Sequence, residues 1–159
     1  MDKKVSIFVD VQNIYYTTKQ AYNKYFNYRK FWQQATHDRH VVHALAYAID
    51  SADDKRKSFK SMLEHIGFTV KLKPYIQRKD GSSKGDWDVG ITLDVVEYTP
   101  ISDVIIIATG DGDFDLLVSK MIRAYNVAVE IYGVQQLTAQ SLRDVASKFV
   151  PIDKELLML

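Results

Sequence analysis

The acids Asp111, Asp113 and Asp115 alternate along the chain directly after an apolar run, residues 104–108, and the first of two glycines. An apolar-periodic segment, residues 116–125, follows at once, so the pattern predicts a buried strand, a tight turn and a helix. In a parallel α/β sheet, ligands bind at the carboxyl ends of strands. Because three carboxylates in one place repel one another unless a cation lies between them, we interpret this segment as a divalent-metal site.

A further acid, Asp10, ends another predicted buried strand, residues 5–9. If the strands before Asp10 and Asp111 are neighbours, about 4.8 Å apart, both carboxylates reach the same edge of the sheet. They can then share one or two Mg²⁺ or Mn²⁺ ions, which take oxygen ligands. Taken alone, Asp10 also fits a helix N-cap, and Asp113 and Asp115 fit the capped first turn of the next helix. Asp111 follows its strand directly, where we expect capping to be less needed.

Acids also surround the start of a predicted helix, residues 89–98. Asp86 and Asp88 lie at its beginning and Asp94 lies inside it. At about 100° per residue, Asp88 and Asp94 are about 240° apart, so a regular helix cannot direct both at one metal. Since Asp94 lies in an otherwise apolar stretch, it needs a partner, whether solvent, a cation or a lysine.

Composition limits the class of protein. The chain has 159 residues, 47% of them apolar and 26% charged, which suits one folded domain over residues 1–159. The net charge of +1 means that nucleic-acid binding would depend on a local basic patch. Cysteine is absent, which excludes disulfides and thiolate metal sites. No apolar run approaches the roughly 18 residues of a membrane span, so we expect a cytoplasmic protein.

Predicted strands and helices alternate along the chain, which is typical of a parallel sheet flanked by helices with right-handed crossovers. The last helix is predicted over residues 137–146, beginning near Thr138, and the basic stretch 77–85 is predicted to be a loop. The remaining strands are predicted over residues 41–49, 68–75, 128–132 and 149–150, and a further helix over residues 55–66.

Three short motifs occur in a fixed order along nearly the whole chain. They are Ile7-Phe8-Val9-Asp10-x-x-Asn13, Lys84-Gly85 before an aspartate-bearing helix, and Thr109-Gly110-Asp111-Gly112-Asp113-Phe114. The ordered set, from about residue 4 to residue 150, resembles the NYN domain family. It is most similar to the LabA-like branch of the PIN-like nuclease superfamily.

The resemblance implies an α/β fold, a PIN-like three-layer α/β/α sandwich with a central, mainly parallel sheet, and a metal-dependent ribonuclease site. The residues that match functional positions of the family are Asp10, Asn13, Asp88, Asp94, Asp111 and Asp113. The family usually has one residue between Lys-Gly and the aspartate, whereas here Asp86 and Trp87 precede Asp88. Which of Asp86 and Asp88 binds the metal therefore stays open.

The expected activity is Mg²⁺- or Mn²⁺-dependent hydrolysis of RNA, single-stranded RNA in particular. Asp10, Asp88, Asp111 and Asp113 would bind metal and carry the chemistry. The candidates for holding the substrate are Asn13, Lys84, Arg78 and Lys79 for the phosphates, and exposed tyrosines such as Tyr15, Tyr16 and Tyr75 for the bases.

Alternatives stay open at this point. The same cleft fits a non-catalytic module that binds RNA or a regulatory protein partner, and it also fits a small-molecule phosphoesterase. The apolar tail, residues 156–159, can pack on the domain or on a second subunit of a homodimer.

Overall fold

A computed structural model of the chain describes residues 2–50, 54–74, 76–77, 83–84 and 86–159. The strands are β1 (Lys3–Asp10), β2 (Arg39–Asp50), β3 (Thr69–Pro74), β4 (Ile76–Gln77), β5 (Ser83–Lys84), β6 (Val104–Ala108), β7 (Ala128–Gly133) and β8 (Lys148–Pro151). Six of them form one parallel sheet in the order β3-β2-β1-β6-β7-β8. The predicted parallel sheet is confirmed.

The helices cover both faces of this sheet. They are α1 (Val11–Tyr22), α2 (Tyr28–Thr36), α3 (Asp54–Ile66), α4 (Asp88–Tyr98), α5 (Asp115–Tyr125) and α6 (Gln140–Val145). Because side chains alternate along a strand, Val5, Ile7 and Val9 of β1 face one core, which α1, α2 and α3 complete. Phe8 faces the other core, with α4, α5 and α6. The fold is therefore the expected three-layer α/β/α sandwich.

The order of strands reverses between β1 and β6, because the chain adds β2 and β3 on one side of β1 and β6, β7 and β8 on the other. Val9 pairs with Ala108, so both strands end at the same edge. The condition that brings Asp10 and Asp111 together is thereby met. Such a switch point opens a crevice at the carboxyl ends of the strands, where ligands bind in open α/β sheets.

The last predicted helix, residues 137–146, begins later than expected. Residues Gln135–Leu137 form a short 3₁₀ turn, and α6 starts only at Gln140. Thr138 and Ala139 are extended because the Thr138 hydroxyl donates to the Val134 carbonyl at 2.7 Å and the Ala139 amide donates to Gly110. Contacts with the loop after β6 therefore delay the start of the helix to Gln140.

The predicted loop 77–85 also contains regular structure. Ile76 and Gln77 pair antiparallel with Lys84 and Ser83, which forms a minimal hairpin from β4 and β5. In the sequence, this hairpin lies between β3 and α4.

The apolar tail packs on its own chain. Leu156 and Leu157 are buried, the Asn27 amide donates to the Leu156 carbonyl at 2.8 Å, and Leu157 forms a bridge with Phe26. Of the two predicted alternatives, packing on the domain or on a second subunit, Leu156 and Leu157 follow the first. Within the described part of the chain, no helix has both the length and the apolar character needed to cross a membrane.

Candidate metal centre

Asp10 ends β1 and caps α1. Its Oδ1 accepts from the Asn13 amide at 3.4 Å, and its Oδ2 accepts from the Thr109 hydroxyl at 3.1 Å. Only 8% of the residue is exposed. Burial, together with the charges of Asp111 and Asp86, raises the pKa of the Asp10 carboxyl to about 6, although these two hydrogen bonds lower it. Asp10 is therefore held in position by two hydrogen bonds, and burial disfavours its ionised form.

Two hydrogen bonds hold the turn after β6, one joining it to Asn13 of α1 and one within the turn itself. The Asn13 Oδ1 accepts from the Gly110 amide at 2.8 Å, and the Thr109 hydroxyl oxygen accepts from the Asp111 amide at 3.2 Å. Because the Asn13 oxygen is used in this way, its Nδ2 is the end that can donate to a ligand. Thr109, fully buried between Asp10 and Asp111, is a positioning residue that sequence reasoning did not assign.

Gly110 and Gly112 allow the loop after β6 to lie close to the segment before α6. A Cβ at Gly110 would lie 2.9 Å from the Leu137 carbonyl oxygen, and one at Gly112 would lie 2.7 Å from the Ala139 Cβ. Any side chain at either position would push the acid-bearing loop off this support. The glycines therefore set where Asp111 lies.

Three carboxylates converge beside this turn. Asp88, Asp111 and Asp113 each offer an oxygen atom, and these atoms all lie within 4.8 Å of one another. Mg²⁺ and Ca²⁺ bind oxygen ligands at about 2.0–2.6 Å, so one such ion joins oxygens about 4–5 Å apart. The donor set therefore fits a hard divalent cation.

The electrostatics of the three carboxylates also fit a cation. Partial burial, the charge of Asp111 and a hydrogen bond to the Asp111 carboxyl together raise the pKa of Asp88 to about 7. Two carboxyl groups lie this close together only when one of them is protonated or when a cation offsets their charges. The cleft has a volume of about 230 Å³, and no Lys, Arg or His is among the described residues that line it. They are Asp10, Gln12, Asn13, Tyr16, Asp86, Asp88 and Asp111.

Asp86 lies in the same cleft but outside the three-carboxylate group. It is exposed, and its Oδ1 accepts from the Asp88 amide at 3.4 Å. Between the two acids left open by the sequence, the geometry places Asp88 beside Asp111 and gives Asp86 a role at the start of α4.

Trp87, between these two acids, anchors the start of α4. Its Nε1 donates to the Ala48 carbonyl at 2.9 Å, and its ring packs 5.3 Å from that of Tyr47. The Lys73 ammonium lies 4.9 Å from the ring centroid and donates to the Asp86 carbonyl at 3.0 Å. Sequence reasoning missed this anchor. A tryptophan that packs against the core could have indicated it, because a buried indole N–H requires a hydrogen-bond acceptor.

Asp94 lies apart from the metal group. Its Oδ2 accepts from the Tyr47 hydroxyl at 2.7 Å and from the Lys71 ammonium at 2.6 Å. The expectation that Asp94 needs a partner is confirmed, and lysine is that partner. The angular argument that Asp88 and Asp94 cannot share one metal agrees with this arrangement.

Replacing Asp94 by alanine is expected to lower the free energy of unfolding by about 1–3 kcal/mol, because the buried Tyr47 hydroxyl and Lys71 lose their acceptor. Urea denaturation measures this loss, and Asp94→Asn, which keeps an acceptor, is expected to lose less. Mn²⁺ affinity should stay within twofold of wild type. A folded Asp94→Ala protein that no longer binds Mn²⁺ would place Asp94 in the metal centre instead.

The expectation that capping is less needed at Asp111 is wrong. Its Oδ1 accepts from the Asp113 amide at 2.9 Å and so caps the 3₁₀ turn Gly112–Phe114. This turn fills the gap between β6 and α5 and needs a cap of its own. Asp113 is exposed and Asp115 lies in the first turn of α5, where neither side chain caps the helix.

Other predicted substrate contacts fall where side chains are not described. Arg78, Lys79 and Tyr75 lie outside the described residues, and Lys84 is described only as part of β5. These residues stay predictions from the sequence.

Comparison with known proteins gives consistent matches. The profile of the NYN domain matches residues 4–153. The low amplitude and bright protein LabA of Synechococcus elongatus is 22% identical over 158 residues, which cover 94% of this chain and 84% of LabA. The crystal structure of a protein of unknown function from Vibrio parahaemolyticus superposes with a TM-score of 0.95 at 53% identity, covering 99% of this chain and 97% of that one.

Proposed function

The chain belongs to the NYN domain family, within the PIN-like nuclease superfamily, and we propose that it is a divalent-metal-dependent ribonuclease that hydrolyses RNA phosphodiester bonds. NYN domains are typically nucleases. The observation that carries the proposal is the convergence of Asp88, Asp111 and Asp113 within 4.8 Å at the edge where β1 and β6 end. Uncompensated carboxylates would repel an anionic substrate, so this group of acids at the cleft favours a divalent cation that would be held by them and would offset their charge.

In this proposal Asp88, Asp111 and Asp113 hold Mg²⁺ or Mn²⁺. When bound, the cation supplies positive charge that lowers the pKa of a coordinated water and stabilises negative charge on the phosphate. The side chains of this protein fix the geometry: Thr109 and the α1 amide of Asn13 hold the Asp10 carboxylate facing the cleft. Asp10, predicted from the sequence as a metal ligand, is not among the three grouped carboxylates, and in this proposal it would orient the attacking water and accept its proton.

Asn13 has the complementary task of binding the substrate. Its Oδ1 is engaged by the Gly110 amide, and its Nδ2 can donate to a non-bridging phosphate oxygen. In the reaction, water adds to phosphorus, the bond from phosphorus to the leaving ribose oxygen breaks, and a proton passes to that oxygen.

The test is cleavage of a 20-nucleotide end-labelled RNA by the wild-type protein in 1–5 mM Mn²⁺ or Mg²⁺. We expect cleavage with either or both metals and none in EDTA. Parallel reactions contain duplex RNA, single-stranded DNA and a mononucleotide. Hydrolysis of the mononucleotide but not of RNA would assign a small-molecule phosphoesterase. RNA binding without metal-dependent cleavage of any substrate would assign a non-catalytic binding module.

A further inference from the structure

A cluster of exposed tyrosines begins at the metal cleft. Tyr15, Tyr16 and Tyr25 are 43%, 59% and 57% exposed. The rings of Tyr15 and Tyr16 meet edge-on with centroids 5.4 Å apart, and those of Tyr15 and Tyr25 stack 6.1 Å apart with 24° between their planes. Single exposed aromatics are common on protein surfaces, whereas three rings joined through contacts with Tyr15 form a continuous patch, which is typical of an interaction surface.

The cluster is continuous with the cleft. Tyr16 lines the cleft together with Gln12, one helical turn earlier on the same face of α1. Tyr16 lies six residues after Asp10, or about 9 Å along the axis of α1. Tyr15 and Tyr25 extend the aromatic surface away from Tyr16. A ligand that runs out of the cleft past Tyr16 therefore meets ring faces next.

The segment of the chain that carries the cluster is basic, which favours an anionic partner. From Val11 to His37 the chain has no acid and four basic residues, although the whole chain holds 20 acids and 21 basic residues. The four are Lys19, Lys24, Arg29 and Lys30, all exposed. The remainder of the chain thus has a net charge of −3, and this segment has +4. The Lys19 ammonium lies 5.6 Å from the Tyr25 ring centroid, which combines cation and ring at one point.

We propose that Tyr15, Tyr16, Tyr25 and Lys19, here called the tyrosine platform, bind single-stranded RNA by stacking its bases as the strand leaves the metal centre. This rests on the proposed function, which places RNA phosphate in the cleft. Aromatic rings beside basic side chains are the elements that bind unpaired strands with little sequence preference. Duplex RNA keeps its bases stacked inside the helix, so the platform selects single strands.

The experiment measures the binding of a fluorescein-labelled 12-nucleotide oligouridylate and of a 12-base-pair RNA duplex by anisotropy, in EDTA so that nothing is cut. Tyr16→Ala and Tyr25→Ala are each expected to raise the Kd for the single strand by about tenfold. Tyr16→Phe and Tyr25→Phe, which keep the ring, should stay within twofold of wild type. The matched control is Tyr125→Ala, which removes a tyrosine that is also 43% exposed, at the end of α5.

The outcomes separate the platform from the ribonuclease. Alanine variants that bind the oligouridylate as well as wild type, or equal binding of duplex and single strand, would overturn the platform while leaving metal-dependent cleavage untouched. Weaker binding by the variants, with no cleavage by wild type in Mn²⁺, would support the platform and remove the nuclease. No binding of RNA by wild type, either in EDTA or with Ca²⁺ present to offset the charge of the acids, would overturn the platform and favour a protein partner for this surface.

A second measurement does not depend on the stability of the variants. Wild-type protein is photocrosslinked to the same oligonucleotide containing 5-iodouridine, and the adducts are mapped by mass spectrometry. Adducts on Tyr15, Tyr16 or Tyr25 support the platform. Adducts confined to other surfaces would overturn it.

Discussion

Replacement of Asp111 by asparagine is expected to slow Mn²⁺-dependent RNA cleavage by about 100-fold or more. The change removes a charged ligand from the carboxylate group, and a lost metal contact of several kcal/mol corresponds to at least two factors of ten in rate. The asparagine Oδ1 can still accept from the Asp113 amide, so the cap of the 3₁₀ turn is kept. Single-turnover cleavage of end-labelled RNA at saturating protein measures the effect.

The matched control for this prediction is Asp115→Asn. It makes the same chemical change four residues later, in the first turn of α5 and outside the three-carboxylate group. We expect its cleavage rate to stay within threefold of wild type. A folded Asp111→Asn protein that cuts as fast as the control would remove Asp111 from the metal centre and contradict the proposed mechanism.

The second large effect concerns stability without metal. In EDTA at pH 8, Asp88→Asn is expected to raise the melting temperature by several degrees above wild type. Burial and the charges of Asp111, Asp86 and Asp10 disfavour the ionised Asp88 carboxylate. Its charge also interacts favourably with the N-terminus of α4, but such an interaction contributes only about 0.3–1 kcal/mol. Repulsion is therefore expected to dominate.

Addition of Mn²⁺ should reverse the order of the two proteins. At 100 times its Kd, a metal that binds only the folded state stabilises it by about 2.7 kcal/mol, which is roughly 5–10 °C for a domain of this size. We expect this rise for wild type and for Asp115→Asn but not for Asp88→Asn. Differential scanning fluorimetry measures all three proteins. A lower melting temperature for Asp88→Asn in EDTA, or a full Mn²⁺ response from it, would show that Asp88 is not held against other acids for a cation.

Much of the candidate metal centre could be predicted because strand ends and acids are local signals. The apolar runs before Asp10 and Asp111 predicted two buried strands, and the structure pairs them as neighbours. That pairing could only be stated as a condition, since strand order depends on long-range packing that a single sequence does not encode in any short segment.

The errors lie where tertiary contacts override local preference. Residues 137–146 have helical periodicity, but the Gly110 carbonyl and the Val134 carbonyl hold Thr138 and Ala139 in extended conformation. Capping by Asp111 was missed because the 3₁₀ turn has no periodic pattern to announce it. The partners of Asp94 were expected in kind, but Tyr47 and Lys71 come from β2 and β3, and their register set the contact.

The position of β1 in the middle of the sheet decides when the metal centre can exist during synthesis. Thr109 lies 99 residues after Asp10, yet the two side chains are hydrogen-bonded to each other. A nascent chain that ends before β6 has β1 paired on one side only and lacks Asp111 altogether. Closing so long a segment is slow, because the entropy of loop closure must be lost before the strands pair. N-terminal fragments therefore cannot assemble the three-carboxylate group, which forms only after most of the polypeptide has been synthesised.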